Sequence, residues 1–234
     1  MNLKEISADI VVHDSTEERV RDCHRAHVWF CDLDAEPPES SPLLSGEWER
    51  AMRLKSLPER RRYVAYCGFV RRILAPFAGA DPAVLRFGDG LHGKPRLELP
   101  PDADGGLLAT LDFNLSHSEN ILAMAVVFGG EIGIDIEVRH FDVDYMSVAG
   151  AHLTENECER LRALPAHEAA GAFYRLWTRH EALARVEGRG SALRPPFAAG
   201  AGSGWMLHSL ECRVGGREVV GAVAWRPFDR PIGE

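Results

Sequence analysis

No run of about 18 uncharged apolar residues occurs in this sequence, so no membrane-spanning helix is expected. Residues Met1–Asp14 alternate charge with apolar side chains and lack the basic-then-apolar order of a secretory leader, so no such leader is expected either. The five cysteines (Cys23, Cys31, Cys67, Cys158, Cys212) are odd in number and scattered, with no C-x-x-C spacing. This argues against a disulfide framework or a structural zinc site and makes the cytoplasm the expected compartment. Positive charge is also scarce: 27 Lys and Arg against 35 Asp and Glu leave a net charge of −8, which disfavours nonspecific nucleic-acid binding. Near the residues considered below there is no Walker loop, G-x-S-x-G elbow or H-E-x-x-H helix.

What is present is enough apolar material, 45% of 234 residues, to bury a core as one large domain or as two halves of about 110 residues. Two segments share one plan, Leu44-Ser45-Gly46-Glu47-Trp48-Glu49-Arg50 and Leu153-Thr154-Glu155-Asn156-Glu157-Cys158-Glu159-Arg160. Each begins with a helix-capping hydroxyl, runs for about ten residues, meets a proline (Pro58 or Pro165) and continues as an amphipathic stretch, Glu59–Leu74 or Ala166–Val186. Internal duplication into two related α/β halves is the expectation, with chance similarity of two helices as its competitor. Strand patterns lie at His27–Cys31, Val84–Phe87, Ile121–Phe128, Ile132–Val138 and Arg217–Trp225, so helices and strands mix. Gly129-Gly130 suits a tight hairpin turn and predicts antiparallel pairing of the two central strands, Leu122 opposite Glu137 and Asn120 opposite Arg139. Loops are expected at 35–46, 99–106 and 194–204, and Arg226–Glu234 reads as an untethered tail.

Charge concentrates in places. Residues 50–72 hold eight basic side chains, including Arg53 and Arg62, against the single acid Glu59. An anion could dock there, although a solvated helix face explains the same residues. In Ile132-Gly133-Ile134-Asp135-Ile136-Glu137-Val138 the period of two buries the aliphatic residues on one face and projects Asp135 and Glu137 from the other, roughly 7 Å apart along the backbone. Two carboxylates so placed suit a hard cation, and an ordinary half-exposed strand is the simpler account of them alone. Ser116-His117-Ser118 falls beyond the Glu137 end of the predicted hairpin, where imidazole and hydroxyls can meet a phosphate or merely cap a strand. Trp177, Glu181 and Arg185 share a helix face. A surface i, i+4 ion pair accounts for the last two, while Glu181 could supply a third carboxylate. Thr154 and Glu157 fit a capping box, and Lys94 sits in a loop within reach of an anion or of water.

In order, Gly93-Lys94-Pro95, Phe113-Asn114-Leu115-Ser116-His117-Ser118, Ile132-Gly133-Ile134-Asp135-Ile136-Glu137, Leu153-Thr154-Glu155-Asn156-Glu157 and Trp177-Thr178-Arg179-His180-Glu181-Ala182 resemble the surfactin (Sfp) type of 4′-phosphopantetheinyl transferase. The likeness is clear over residues 40 to 190. It implies an α+β fold, a pseudo-dimer of two α/β halves (1–130 and 131–234), each a small sheet on a long helix, with coenzyme A in the cleft between them. By the same resemblance Asp135, Glu137 and Glu181 would hold Mg²⁺. Lys94, Ser116 and His117 would meet the nucleotide and its 3′-phosphate, and Arg53, Arg62 and Arg185 would add phosphate contacts. Glu157 would be the base for a serine of an apo carrier protein, and a monomer is expected because the duplication supplies its own interface.

The resemblance also counts His180 and Arg185 with Glu157 among the catalytic residues, for phosphate binding or leaving-group stabilisation, although the family usually has lysine at both of these positions. Arginine keeps the charge, whereas an unperturbed imidazole is mostly neutral at pH 7. A relative that binds coenzyme A or a carrier protein without transfer, or one that acts on a carrier-bound thioester, is the competing expectation. His180→Lys is therefore expected to raise transferase activity more near pH 8 than near pH 6, and an equal effect at both would remove the idea.

Overall fold

A computed structural model describes residues 9–13, 25–36, 43–90, 94–98, 107–140, 142–186 and 204–228. Gly93, Cys23 and most of the three expected loops lie outside these residues. In chain order the elements are β1 (Ile10–His13), β2 (Ala26–Asp32), α1 (Ser45–Arg53), α2 (Leu57–Ala78), β3 (Arg86–Asp89), β4 (Pro95–Glu98), β5 (Leu111–Ser118), β6 (Ile121–Phe128), β7 (Gly130–Val138), α3 (Tyr145–His152), α4 (Glu155–Ala163), α5 (Ala166–Val186), β8 (Met206–Val214) and β9 (Arg217–Pro227). The class is mixed α+β. Among the described residues no helix is long and apolar enough to cross a membrane.

Strands β1, β2, β6 and β5 make one sheet in that order, and β7, β9 and β8 make another. Aliphatic side chains from both, among them Val28, Ala125 and Val127 on one side and Ile132, Ile134 and Val223 on the other, form a core between the sheets. The outer face of the first sheet packs on α2 through Trp29, Phe69, Ile73 and Phe113. The outer face of the second meets α5 at Ala182, Leu183, Ala222 and Ala224. The result is a helix, two sheets and a helix in layers.

The hairpin predicted at Gly129-Gly130 does not form. β6 is buried along its whole length and both of its edges are taken, by β2 and β5, so β7 has no edge of β6 to join. Leu122 pairs with His117 and Cys31, Glu137 pairs with Val220, and the Arg139 amide donates to the Glu218 carbonyl. The tight turn lies one strand earlier, at Glu119-Asn120, where Glu119 takes a φ of 54°. Gly129, with φ 62°, is instead a corner that carries the chain from one sheet into the other. The described part of the expected tail is tethered: Arg226 and Pro227 pair with Glu131 and Gly130, the Phe228 amide donates to the Gly129 carbonyl, and 229–234 lie outside the described residues.

The duplicated helical plan is visible in α1–α2 and α4–α5. Ser56 and Thr154 cap α2 and α4, each with a reciprocal glutamate three residues on, Glu59 and Glu157. The predicted hydroxyl cap of α1 is absent, because Leu44 rather than Ser45 occupies the cap, and only the Glu47 carboxylate reaches back to its amide. The predicted strand at Val84 begins two residues later, since Asp81 caps a short turn over Pro82–Val84.

Since β7 hydrogen-bonds to β9 on one edge only, its other edge faces β5. There the amides of Ile132, Ile134, Ile136 and Val138 are received by side chains of β5: Asp112 at 2.8 Å, Asn114 at 3.0 Å, Ser116 at 3.2 Å and Ser118 at 3.0 Å. Side-chain oxygens thus replace a neighbouring backbone and satisfy an edge that would otherwise be buried and unpaired.

Helix α5 lies close enough to β7 that a Cβ on Gly133 would collide with the Ala182 carbonyl and come within 2.9 Å of the Val186 amide. Gly133→Ala is expected to destabilise by about 1–3 kcal/mol, read as a lower urea or thermal midpoint. Gly150→Ala, on an exposed helix position with nothing within 4 Å, should leave the midpoint unchanged or raise it slightly.

Candidate active site

β7 carries its aliphatic residues into the inter-sheet core and turns Asp135 and Glu137 towards α5, as the alternation predicts. Asp135 is only 2% exposed and Glu181, on the facing helix, 3%. The surface ion pair between Glu181 and Arg185 expected from their spacing is not what forms. Arg185 reaches across to Asp135 at 2.9 Å and also donates to the Leu115 carbonyl, so it ties α5 to both sheets. Glu181 is left buried, its Oε1 without a hydrogen-bond partner, and Oδ2 of Asp135 is in the same condition. Burial pushes the Asp135 carboxyl up to about 7, against the opposing pull of Arg185 and with a further push from Glu137. Burial also raises Glu181, partly offset by Arg185 and His152.

Two buried carboxylate oxygens with nothing to bond are expensive in a protein interior, and either a retained proton or a bound cation relieves them. Hard oxygen ligands on neighbouring elements fit a divalent ion such as Mg²⁺, which binds through one or two carboxylates and completes its shell with water and phosphate. Among the described residues no three His, Cys, Asp or Glu side chains gather closely enough to hold a metal, so Asp135, Glu137 and Glu181 are not drawn together into a three-carboxylate set.

Serines of β5 border these acids. Ser116 Oγ donates to Asp135 at 3.0 Å and Ser118 Oγ to Glu137 at 2.7 Å. The Ser116 hydroxyl proton, read from the sequence as available to a nucleotide, is therefore turned towards β7. His117, between them, is exposed.

A cavity of about 800 Å³ opens beside this cluster. Among the described residues, every one in its wall precedes position 123 except Arg185. Of the candidates, Arg62, Lys94, Ser116, His117 and Arg185 line it. Arg62 is held by both oxygens of Asp34 at 2.7 Å, and Lys94 by Asp112 at 2.5 Å and the Ile132 carbonyl at 2.8 Å. Arg53 is not brought to the cavity. It stays exposed beside Glu49, because three residues along α1 turn it about 60° round the helix axis from Arg50. Arg50 takes the inner place, lying over the Tyr63 ring. Arg50, Tyr63 and Tyr66 were not singled out from the sequence. The only signal for Arg50 was the basic excess of residues 50–72, which does not say which arginines turn inward.

Glu157 makes the capping box, one of the two roles the sequence left open, and its second oxygen meets His180. Its Oε2 accepts from the Thr154 amide at 2.9 Å while its own amide donates to Thr154 Oγ1 at 3.3 Å, which is the capping box; Oε2 also accepts from the Thr154 hydroxyl at 2.7 Å, and Oε1 meets His180 Nε2 at 2.8 Å. Burial alone would raise this carboxyl, but the Thr154 and His180 hydrogen bonds outweigh it and hold the group below its ordinary value.

A profile of the 4′-phosphopantetheinyl transferase superfamily matches residues 131–199. The chain is 37% identical over 172 residues to the 4′-phosphopantetheinyl transferase HetI of a Nostoc species, covering 71% of this chain and 70% of that protein. It is 28% identical to AcpT of Escherichia coli over 66% of this chain and 65% of the relative. To Sfp of Bacillus subtilis the identity is 30% over 53% of this chain and 50% of that protein. Together with five ordered motifs on one mixed α+β scaffold, the likeness to HetI shows that the chain belongs to the 4′-phosphopantetheinyl transferase family of enzymes.

Proposed function

We propose that this enzyme is of the Sfp type: it transfers the 4′-phosphopantetheine arm of coenzyme A to a serine of an apo acyl or peptidyl carrier protein, releases adenosine 3′,5′-bisphosphate and depends on Mg²⁺. The observation that carries the reading is the pair of buried, unpartnered oxygens on Asp135 and Glu181 beside a cavity whose wall includes Arg50, Arg62, Lys94 and Arg185.

Asp135, Glu137 and Glu181 would hold the Mg²⁺, which when bound offsets charge on the pyrophosphate. Arg185 supplies fixed positive charge between the acids and the cavity, where negative charge builds on the leaving oxygens during phosphoryl transfer. His117 and the basic wall orient the nucleotide. Glu157 takes the serine proton. It is ionised at neutral pH, and the Thr154 hydrogen bonds to Oε2 hold its carboxylate plane while Oε1 lies towards His180. In this reading the chain works as a cytoplasmic monomer of two halves, 1–130 and 131–234, with coenzyme A between them.

The test is intact-protein mass spectrometry of apo carrier proteins incubated with enzyme, coenzyme A and Mg²⁺. A gain equal to one phosphopantetheine arm, lost with Glu181→Ala, is expected. Coenzyme A binding without any gain across the carrier panel would select the non-transferring reading instead.

The metal-free protein should also show what the buried acid costs. The folded state keeps the Asp135 proton up to about pH 7, whereas a free aspartate loses it near 3.8, so the folded state binds more protons between these values. Stability conferred by this group therefore falls as pH rises from about 4 to 7, and the full cost is present above that. Asp135→Asn is expected to raise the thermal midpoint of the metal-free protein more near pH 8 than near pH 5, while abolishing transfer. Equal midpoint changes at both would contradict the assignment.

A further inference from the structure

We infer that Ser118 is a positioning residue of the metal site, holding the Glu137 carboxylate in the orientation that receives the cation. This rests on the Mg²⁺ reading of Asp135, Glu137 and Glu181 given above.

A serine hydroxyl has one proton and two lone pairs. At Ser118 the Val138 amide donates to one lone pair at 3.0 Å, and the proton goes to Glu137 Oε2 at 2.7 Å. One oxygen atom thus takes its orientation from the backbone of β7 and passes it to the carboxylate one residue earlier on the same strand. Ser116 repeats the arrangement, receiving the Ile136 amide and donating to Asp135 Oδ1. The four rungs between β5 and β7 are alike as acceptors but not as donors. Asp112 and Asn114 receive the amides of Ile132 and Ile134, yet the odd residues of β7 beside them are Glu131, which pairs with Arg226, and Gly133, which has no side chain. Hydroxyl rungs begin where the β7 carboxylates of the site begin. An acceptor at Ser118 is needed for the fold; the hydroxyl proton is an added property, and the group it serves is Glu137.

Held through Oε2, Glu137 presents Oε1 with little rotamer freedom left to lose on binding a cation. Hydrogen-bond partners of metal-ligating carboxylates commonly change affinity 10–100-fold when removed.

The experiment titrates Mn²⁺, followed by the electron paramagnetic resonance of the free ion, into protein saturated with coenzyme A. Four proteins are compared: wild type, Ser118→Ala, Ser118→Thr and Asn114→Ala, with Asn114→Ser in place of the last should the alanine variant not fold. Ser118→Ala is expected to weaken Mn²⁺ binding about 10-fold, with Ser118→Thr restoring it because the hydroxyl returns. The Asn114 variant, which loses a rung that touches no carboxylate, should lower the thermal midpoint and leave Mn²⁺ affinity within about twofold. Wild-type affinity in Ser118→Ala overturns the inference, as does equal weakening in the Asn114 variant, which would reduce Ser118 to a structural rung. Absence of Mn²⁺ binding by the wild type would remove the metal reading and this inference with it, a result distinct from failure of Ser118 alone.

Discussion

Among the described residues one edge of β7 has no backbone pairing partner, and most of the structure follows from how its four amides are satisfied. A buried N–H without a partner costs about 1–3 kcal/mol, so four in a row would be incompatible with a stable fold. Polar side chains at alternate positions of β5 supply the missing acceptors. Because each rung is specific in length and position, the two sheets are locked in one register. Lys94 closes the far end by bridging Asp112 and the Ile132 carbonyl. The opposite end closes on Glu119, which pairs with His140 and Arg217.

This register decides where charge lies. It sets Asp135 and Glu137 against α5, where Arg185 meets Asp135, and Arg185 and Ser116 both join Asp135 to the cavity wall. In an apolar interior the acids would be purely destabilising. Arg185 offsets part of that cost, while Oδ2 of Asp135 and Oε1 of Glu181 stay without hydrogen-bond partners. Such tension between stability and a charged site is common where catalysis needs buried acids. Gly133 belongs to the same arrangement, since only a residue without Cβ allows α5 to approach β7 so closely.

Much of this was legible beforehand, for local reasons. The period of two in Ile132–Val138 and the capping box at Thr154-Glu157 are properties of a few adjacent residues, and both appear in the structure. Pairing was not legible. Gly129-Gly130 has the chemistry of a hairpin turn, but whether two strands join depends on which edges are free, and β6 had none. The i, i+4 spacing of Glu181 and Arg185 gave a shared helix face, not a partner: both Glu181 and Asp135 are buried, and it is Asp135, on the strand α5 packs against, that meets the guanidinium. Arg53 and Arg50 differ by less than one helical turn in sequence, yet only the packing of α1 on α2 selects which one turns inward.

The sequence by itself determined the mixed α+β class, the ordered motifs of the transferase family and the alternation that separates acids from aliphatic residues, because propensity, capping and periodicity act over a few residues. Only the tertiary structure decided that β5 and β7 meet through side chains, that Ser116 and Ser118 serve the carboxylates, and that Arg185 bonds Asp135 rather than Glu181. Those outcomes depend on which buried donors and acceptors are left over once every strand edge and helix face has been assigned. That accounting closes only when the whole chain is folded.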